Sequence, residues 1–327
     1  MPSMPTDLYT RLRQTNEELR PLMEELEGVR VATVRRIVIA AVILGSLGLA
    51  ASGFLALTGF DNPGLGFALG IIAWMLYGSW TMQGYVRRFK REVISRAVTV
   101  CGPELKYEPH RGIARAEFNA AGLFSGYDDY KSEDEVCGYV GATQVRFSEV
   151  TLWEHRGSGK NRRRVKVFDG LFFQVDFPKA FNGRTYIHRQ ADATGLALTG
   201  WLRGLPPRVA LEDPEFERAF QVYGTDPVEA RYLLSTSFME RLMEYRNRKG
   251  DIRASFVGDH FHLALPMWGE FLEPPLFSSI LKGHLLEDFV KEVLGAISLV
   301  EELNLNTRLW GEKAVEAYDR EQQRAVR

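Results

Sequence analysis

Two uncharged runs, Ile37 to Phe60 and Asn62 to Val86, are divided by a single charged residue, Asp61. Crossing a hydrocarbon layer about 30 Å thick takes about 20 apolar residues of helix, and each run is long enough. Between them Asp61-Asn62-Pro63-Gly64 predicts a tight turn. Asp and Asn side chains bond their own backbone, Pro fixes φ, and Gly accepts positive φ. The pattern therefore predicts a transmembrane helical hairpin over residues 37–86. Arg30, Arg35 and Arg36 precede it, Arg87, Arg88, Lys90 and Arg91 follow it, and the connecting turn holds no Lys or Arg. Short basic flanks stay on the cytoplasmic side, so both termini are expected to be cytoplasmic. The late start, the length of the first run and the second span that follows at once argue against a cleaved signal peptide, whose apolar region spans about 7–15 residues. Gly45, Gly48, Gly66 and Gly70 lie inside the runs as candidate helix-packing positions. Small residues let helices approach closely in lipid, either within one hairpin or between subunits.

Residues 1–36 form an N-terminal arm. Leu8, Leu12, Thr15, Leu19, Leu22, Leu26 and Val29 recur at alternating spacings of four and three, an a/d stripe. Leu8, Leu12, Leu19, Leu22 and Leu26 are accordingly candidates for an oligomer seam. The same stripe also suits packing against the chain's own body or against a partner's helix. Pro21 is incompatible with an undisturbed helix interior, so one helix is expected to end near Leu19 or Arg20 and another to begin at Pro21, where proline is tolerated.

Residues 87–310 are expected to form a cytoplasmic α+β domain, with an internal boundary near 192–208 and a polar tail at 311–327. Arg87 to Cys101 reads as an amphipathic helix ended by Gly102-Pro103. Leu171, Phe173, Val175 and Phe177 alternate with Phe172, Gln174 and Asp176, a period-two strand. Its predicted partner is Val145 to His155, across the polar turn Gly157–Asn161, with Gly170 marking a bulge. Pro214 to Phe220 predicts a short helix, and Asp226-Pro227 a longer one through Arg248 carrying Val228, Tyr232, Met239, Leu242 and Met243 on its buried face. A second hairpin joins Ile252–Phe256 to Phe261–Leu265 through Gly258-Asp259. A last helix spans about Leu285 to Leu303 with Leu286, Phe289, Val293, Ile297 and Val300 on one stripe. Strands in hairpins and helices in separate blocks predict an α+β, mainly antiparallel body, not a doubly wound sheet.

Composition changes little. The 45% hydrophobic content and mean hydropathy of −0.18 are those of a soluble protein, because the polar body dilutes the hairpin. A net charge of −1 argues against a nucleic-acid partner, which selects a basic domain. Cys101 and Cys137 stand apart, without zinc-ligand spacing. Arg156, Lys160, Arg162, Arg163, Arg164 and Lys166 put a basic tip on the first hairpin, and Arg162, Arg163 and Arg164 join Arg87, Arg88, Lys90 and Arg91 as candidate lipid or partner contacts. The acids Asp128, Asp129, Glu133, Asp134 and Glu135 lack calcium-loop spacing and read as a solvated loop. His260 and His262 share one strand face, read as exposed. No Walker, G-x-S-x-G, HExxH or Rossmann pattern occurs, so no catalytic, cofactor or metal residue is assigned.

The segments FDGLFFQVDFPKAFNGRT (168–185), LEDPEFERAFQVYGTDPVEARYLLSTSFMERL (211–242), FLEPPLF (271–277), ELNLNTRLW (302–310) and YDDYKSEDEVCGYVGATQVRFSEV (127–150) resemble those of the bacterial domain-of-unknown-function family 3137. The resemblance implies a two-span inner-membrane protein with a cytoplasmic α+β domain, and it supplies no activity, cofactor or site residue. The expectation is an inner-membrane protein with a non-enzymatic domain. That domain would bind a protein or a lipid-headgroup surface as scaffold or sensor, with the bilayer, an unidentified protein and a second copy as partners. A membrane-tethered enzyme with a dispersed site is the alternative. A small transport subunit is weaker still, because neither span holds an ionisable residue.

Overall fold

A computed structural model describes residues 6–140, 143–177, 180–192, 204–250, 252–267, 272–282, 286–291, 293–294 and 297. The predicted tail, Val300, the end of the last helix and the boundary loop at 193–203 lie outside these residues. The chain divides into two compact units, residues 1–100 with 272–290, and residues 101–271 with 291–327.

The first unit is built on long helices. α1 spans Thr6–Leu57 and α2 spans Leu65–Phe89. A π turn, Lys90–Ile94, then leads into α3, Ser95–Cys101. The arm does not break at Pro21, which lies inside α1. A proline there costs about 3 kcal/mol. Leu19 and Leu26, on the turns either side, are both fully buried, and each buried leucine contributes about 1.5–3 kcal/mol. Burial outweighs the lost hydrogen bond, and the helix runs through. α1 and α2 touch at their glycines. A Cβ on Gly66 would stand 2.7 Å from the Ser52 nitrogen, and one on Gly70 would stand 2.7 Å from the Leu44 oxygen. Gly48 faces Gly66 and Phe67, whereas Gly45 faces open space. Ser52 Oγ accepts from the Phe67 N–H at 2.8 Å, and Trp74 Nε1 donates to the Ile37 oxygen at 3.0 Å.

Segment 272–290 completes this unit, with Leu272, Ile280, Leu286, Phe289 and Val290 buried. Polar contacts hold its first half to the helices. Arg30 Nη1 donates to the Leu276 oxygen at 2.7 Å, the Ile280 N–H donates to Glu27 Oε2 at 3.2 Å, and Lys90 Nζ lies 3.4 Å from Glu273 Oε1. Glu27 and Arg30 themselves pair at 2.7 Å. That guanidinium holds the Glu27 carboxyl below its usual range, against the opposing effect of burial.

Among the described residues the second unit is α+β around one antiparallel sheet of nine strands, ordered β1-β2-β3-β4-β9-β8-β5-β7-β6. These are β1 Lys106–Glu108, β2 Asp129–Val140, β3 Thr143–Arg156, β4 Arg163–Asp176, β5 Thr185–Arg189, β6 Arg208–Val209, β7 Phe220–Gly224, β8 Arg253–Val257 and β9 His260–Pro266. Both predicted hairpins form, β3 with β4 and β8 with β9. On one face Phe147, Phe173 and Phe261 are buried. Phe238, from helix Thr236–Lys249, sits on Phe256 and Phe261 at 6.1 and 6.0 Å. On the other, Phe118 of α4 (Arg115–Ala120) packs on Phe172 at 4.7 Å, within a cluster holding Ile113, Leu123, Val150 and Leu152.

Several local expectations are corrected. The irregularity of β4 falls opposite Leu152 and Trp153, not at Gly170. Gly170 instead admits β9: a Cβ there would lie 2.0 Å from the Leu265 oxygen. The single helix expected after Asp226 is two, α6 Pro227–Leu233 and α7 Thr236–Lys249, following α5 at Pro214–Ala219. The break comes at Ser235, whose Oγ caps the Phe238 N–H at 3.3 Å. It re-phases the apolar set, so Val228 and Tyr232 are exposed while Leu233 and Leu234 are buried. The acidic stretch is no loop: it lies in and before β2, and Asp134 and Glu135 are buried. Asp134 occupies the bulge at φ 58° and accepts from Tyr107, and Glu135 meets Arg146 at 2.8 Å. His262 is not exposed either. It is buried beside Phe172 and Ser255, and burial pushes its pKa down to about 3.

Candidate functional site

The sheet unit carries a cleft of about 660 Å³. It opens where the loop after α4, the distal half of the β3–β4 hairpin and the ends of β5 and β8 converge. The loop turns at Gly122, where φ is +69° and a Cβ would strike the Tyr186 ring at 2.6 Å, so only glycine fits. This turn delivers Phe124 to the cleft wall, supported by Phe168 at 4.7 Å and Phe118 at 5.6 Å.

Above Phe124 sits an Arg–Asp–Arg arrangement. Arg189 meets Asp192 with two nitrogens, Nη2–Oδ1 at 2.5 Å and Nε–Oδ2 at 2.9 Å. Arg253 reaches Asp192 Oδ2 at 3.0 Å, with its Cζ 4.3 Å from the centroid of Phe124. Burial pushes the Asp192 carboxyl up. Its hydrogen bond from Arg189 and the charge of Arg253 outweigh that and hold it below the usual carboxylate range. Elsewhere on the wall Arg156 pairs with Glu154 at 2.8 Å, and Lys166 with Asp169 at 2.6 Å. His188 is buried deeper, stacked on Tyr186 at 6.3 Å. The site offers oriented guanidinium groups over aromatic carbon, a surface suited to recognising a planar or anionic group.

The sequence-derived candidates fall in different places. Arg162 and Arg163 are exposed where the β3–β4 turn enters β4. Arg164 is engaged, 2.8 Å from Asp129 and 3.9 Å above the Trp153 ring. In the helical unit Arg87 and Arg91 are exposed, Arg88 pairs with Glu25 at 2.7 Å and Glu92 at 3.1 Å, and Lys90 is buried against Glu273. Leu19 and Leu26 are buried within the chain and Leu22 is half-buried, while the side chains of Leu8 and Leu12 lie outside the described set. Cys101 is buried, its thiol pushed up to about 12 by burial. Among the described residues no three His, Cys, Asp or Glu side chains are grouped to hold a metal ion. Sequence reasoning missed Arg189, Asp192 and Arg253. The one local signal is the R-x-x-D spacing of the first two at a strand end; Arg253 lies far away in sequence.

These features define the class: an α+β protein with two helices, Arg13–Leu57 and Leu65–Cys101, long and apolar enough to cross a membrane, and an antiparallel sheet domain. Residues 166–305 match the model of the family described as protein of unknown function DUF3137. No curated protein matches the chain. Among solved structures, the crystal structure of the mycobacterial trehalose monomycolate transport factor A, TtfA, is similar at 9% identity over 65% of this chain and 96% of that one, with a TM-score of 0.30. A likeness of that size carries no argument about fold or function.

Proposed function

We propose that this protein is a bacterial inner-membrane protein anchored by the α1–α2 hairpin, with both termini cytoplasmic. Its sheet domain is a non-enzymatic binding module acting as scaffold or sensor toward a protein or lipid-headgroup surface. The observation that carries the reading is what the helices expose. Leu57 is 89% exposed, Trp80 70% and Leu76 68%, alongside Val42, Phe54 and Leu69. Water would penalise each such side chain by about 1.5–3 kcal/mol; hydrocarbon would not. The basic flanks and the turn without Lys or Arg support the orientation.

The cleft supports binding over catalysis. Its described cations are each held by a carboxylate, which suits a recognition surface better than a proton-transfer site. Reporter fusions after Phe60 and after Arg91, with carbonate extraction of native membranes, test the anchor. An external signal at Arg91, or release into the soluble fraction, overturns it. Exchanging Arg162 and Arg163 for glutamine and measuring membrane-partner capture by the intact protein tests the module. Capture unchanged by these and by Arg253→Gln would mean neither surface is the binding face.

A further inference from the structure

Segment 272–282 is fixed in a way that leaves one aromatic outside. Leu272, Pro274 and Ile280 point inward and are buried. Phe277 is 89% exposed, Leu281 46%, and Lys282 is exposed beside them. An aromatic side chain so exposed in a loop clamped at Glu273, Leu276 and Ile280 is displayed by that loop, not left over by a frayed end.

The height of the clamps says what meets it. Arg30, which holds Leu276, lies seven residues before Ile37 on α1, about 10 Å at 1.5 Å per residue. Glu27, which holds Ile280, is three residues further from the apolar run. The headgroup layer extends about 5–8 Å beyond the hydrocarbon on each side. Phe277 follows Leu276 directly, at the clamp nearer the apolar run and just outside that layer, so its ring enters the outer part of the layer when it extends toward the run. Around the same level Arg35, Arg36, Arg87 and Arg91 are exposed. Exposed aromatic carbon near headgroup depth, on a unit whose helices carry exposed cations at the same end of the apolar runs, fits the interfacial anchor pattern.

We infer that the 276–282 loop is an interfacial anchor, with Phe277 and Leu281 inserted among the headgroups of the leaflet next to the basic flanks, and Lys282 facing anionic lipid. This rests on the reading of α1 and α2 as membrane spans. The loop would then tie segment 272–290 to both the helices and the lipid surface. A protein partner on the same loop is the competing occupant, which the test separates.

The test uses full-length protein carrying Cys137→Ser, with Cys101 buried, reconstituted in vesicles of phosphatidylethanolamine and phosphatidylglycerol. An environment-sensitive fluorophore is placed at Phe277→Cys, at Leu47→Cys inside the first span, and at the exposed Glu17→Cys, twenty residues before Ile37 on α1, and quenched by lipids bearing a nitroxide at the headgroup or deep in the acyl chain. The expected result is quenching at 277 by the headgroup nitroxide, quenching at 47 by the deep one, and neither at 17. A label at Leu281→Cys should follow the one at 277. If 47 is quenched but 277 behaves as 17 does, the anchor is overturned while the spans stand. If 277 is shielded from aqueous iodide without lipid quenching, protein contact replaces the inference. If 47 is not quenched by the deep label, the spans themselves fall and the anchor with them.

Discussion

Replacing Asp192 by asparagine is the sharpest perturbation of the cleft. The carboxylate is 19% exposed, Arg253 17% and Arg189 31%, so the change removes the counter-charge between two half-enclosed guanidinium groups and leaves them facing each other. Breaking a buried pair costs about 3–5 kcal/mol; with this much solvent access about 2–3 kcal/mol is expected. At about 2–4 °C per kcal/mol for a domain of this size, the melting temperature falls by roughly 4–12 °C. The pH dependence has a definite sign. Asp192 is held below its usual value in the folded state, while the unfolded carboxyl titrates near about 3.9. Its contribution is complete above the unfolded value and is lost as pH falls through the lower, folded one. The gap between wild type and Asp192→Asn should therefore be constant at neutral pH and narrow below about pH 4. Thermal unfolding of the detergent-solubilised full chain, followed by near-ultraviolet circular dichroism, measures it. Adding Arg189→Gln should recover part of the loss. A melting shift under about 1 °C, or a gap that does not narrow in acid, would refute the charge argument.

Three further outcomes follow from the geometry. Gly170→Ala drives a Cβ to 2.0 Å from the Leu265 oxygen and 2.8 Å from the Met267 nitrogen. Prising β4 from β9 should cost about 2–4 kcal/mol in denaturant unfolding, whereas Gly28→Ala, with nothing within 4 Å of the added carbon, should be neutral or stabilising by up to about 1 kcal/mol. Asp226→Ala removes the acceptor for the Val228 and Glu229 N–H groups at 2.9 and 3.1 Å; a loss of about 1 kcal/mol in the same assay, recovered by Asp226→Ser, is expected. Gly66→Val, against the Ser52 nitrogen at 2.7 Å, should separate α1 from α2 and lower the disulfide yield of a cysteine pair at Ile37 and Gly78, where an added Cβ meets the Ile37 side chain at an ordinary 3.8 Å, while Gly45→Val leaves it unchanged.

What could be read in the sequence was local. The β3–β4 and β8–β9 hairpins are legible because alternation and polar turns act within a dozen or so residues. Strand β7 escaped because all five of its residues are buried, which erases the alternation. The helix through Pro21 is not legible locally, because propensity says nothing of the burial of Leu19 and Leu26 on either side. The burial of His262 is not legible either, because the α4 layer covers the second sheet face and its packing partners are far away in sequence. The cleft escaped for the same reason. Phe124, Asp192 and Arg253 meet because β8 lies between β9 and β5, a strand order that no spacing along the chain encodes.

The π turn at Lys90–Ile94 carries one consequence of its own. A π turn holds one residue more than an α turn, and one residue rotates everything after it by about 100° about the helix axis. Ala97 and Val98, 1% exposed, face inward only with that extra step present. Excising a single residue between 90 and 94 would swing α3 like a mis-keyed gear, turning its oily teeth toward water with every other contact of α2 untouched.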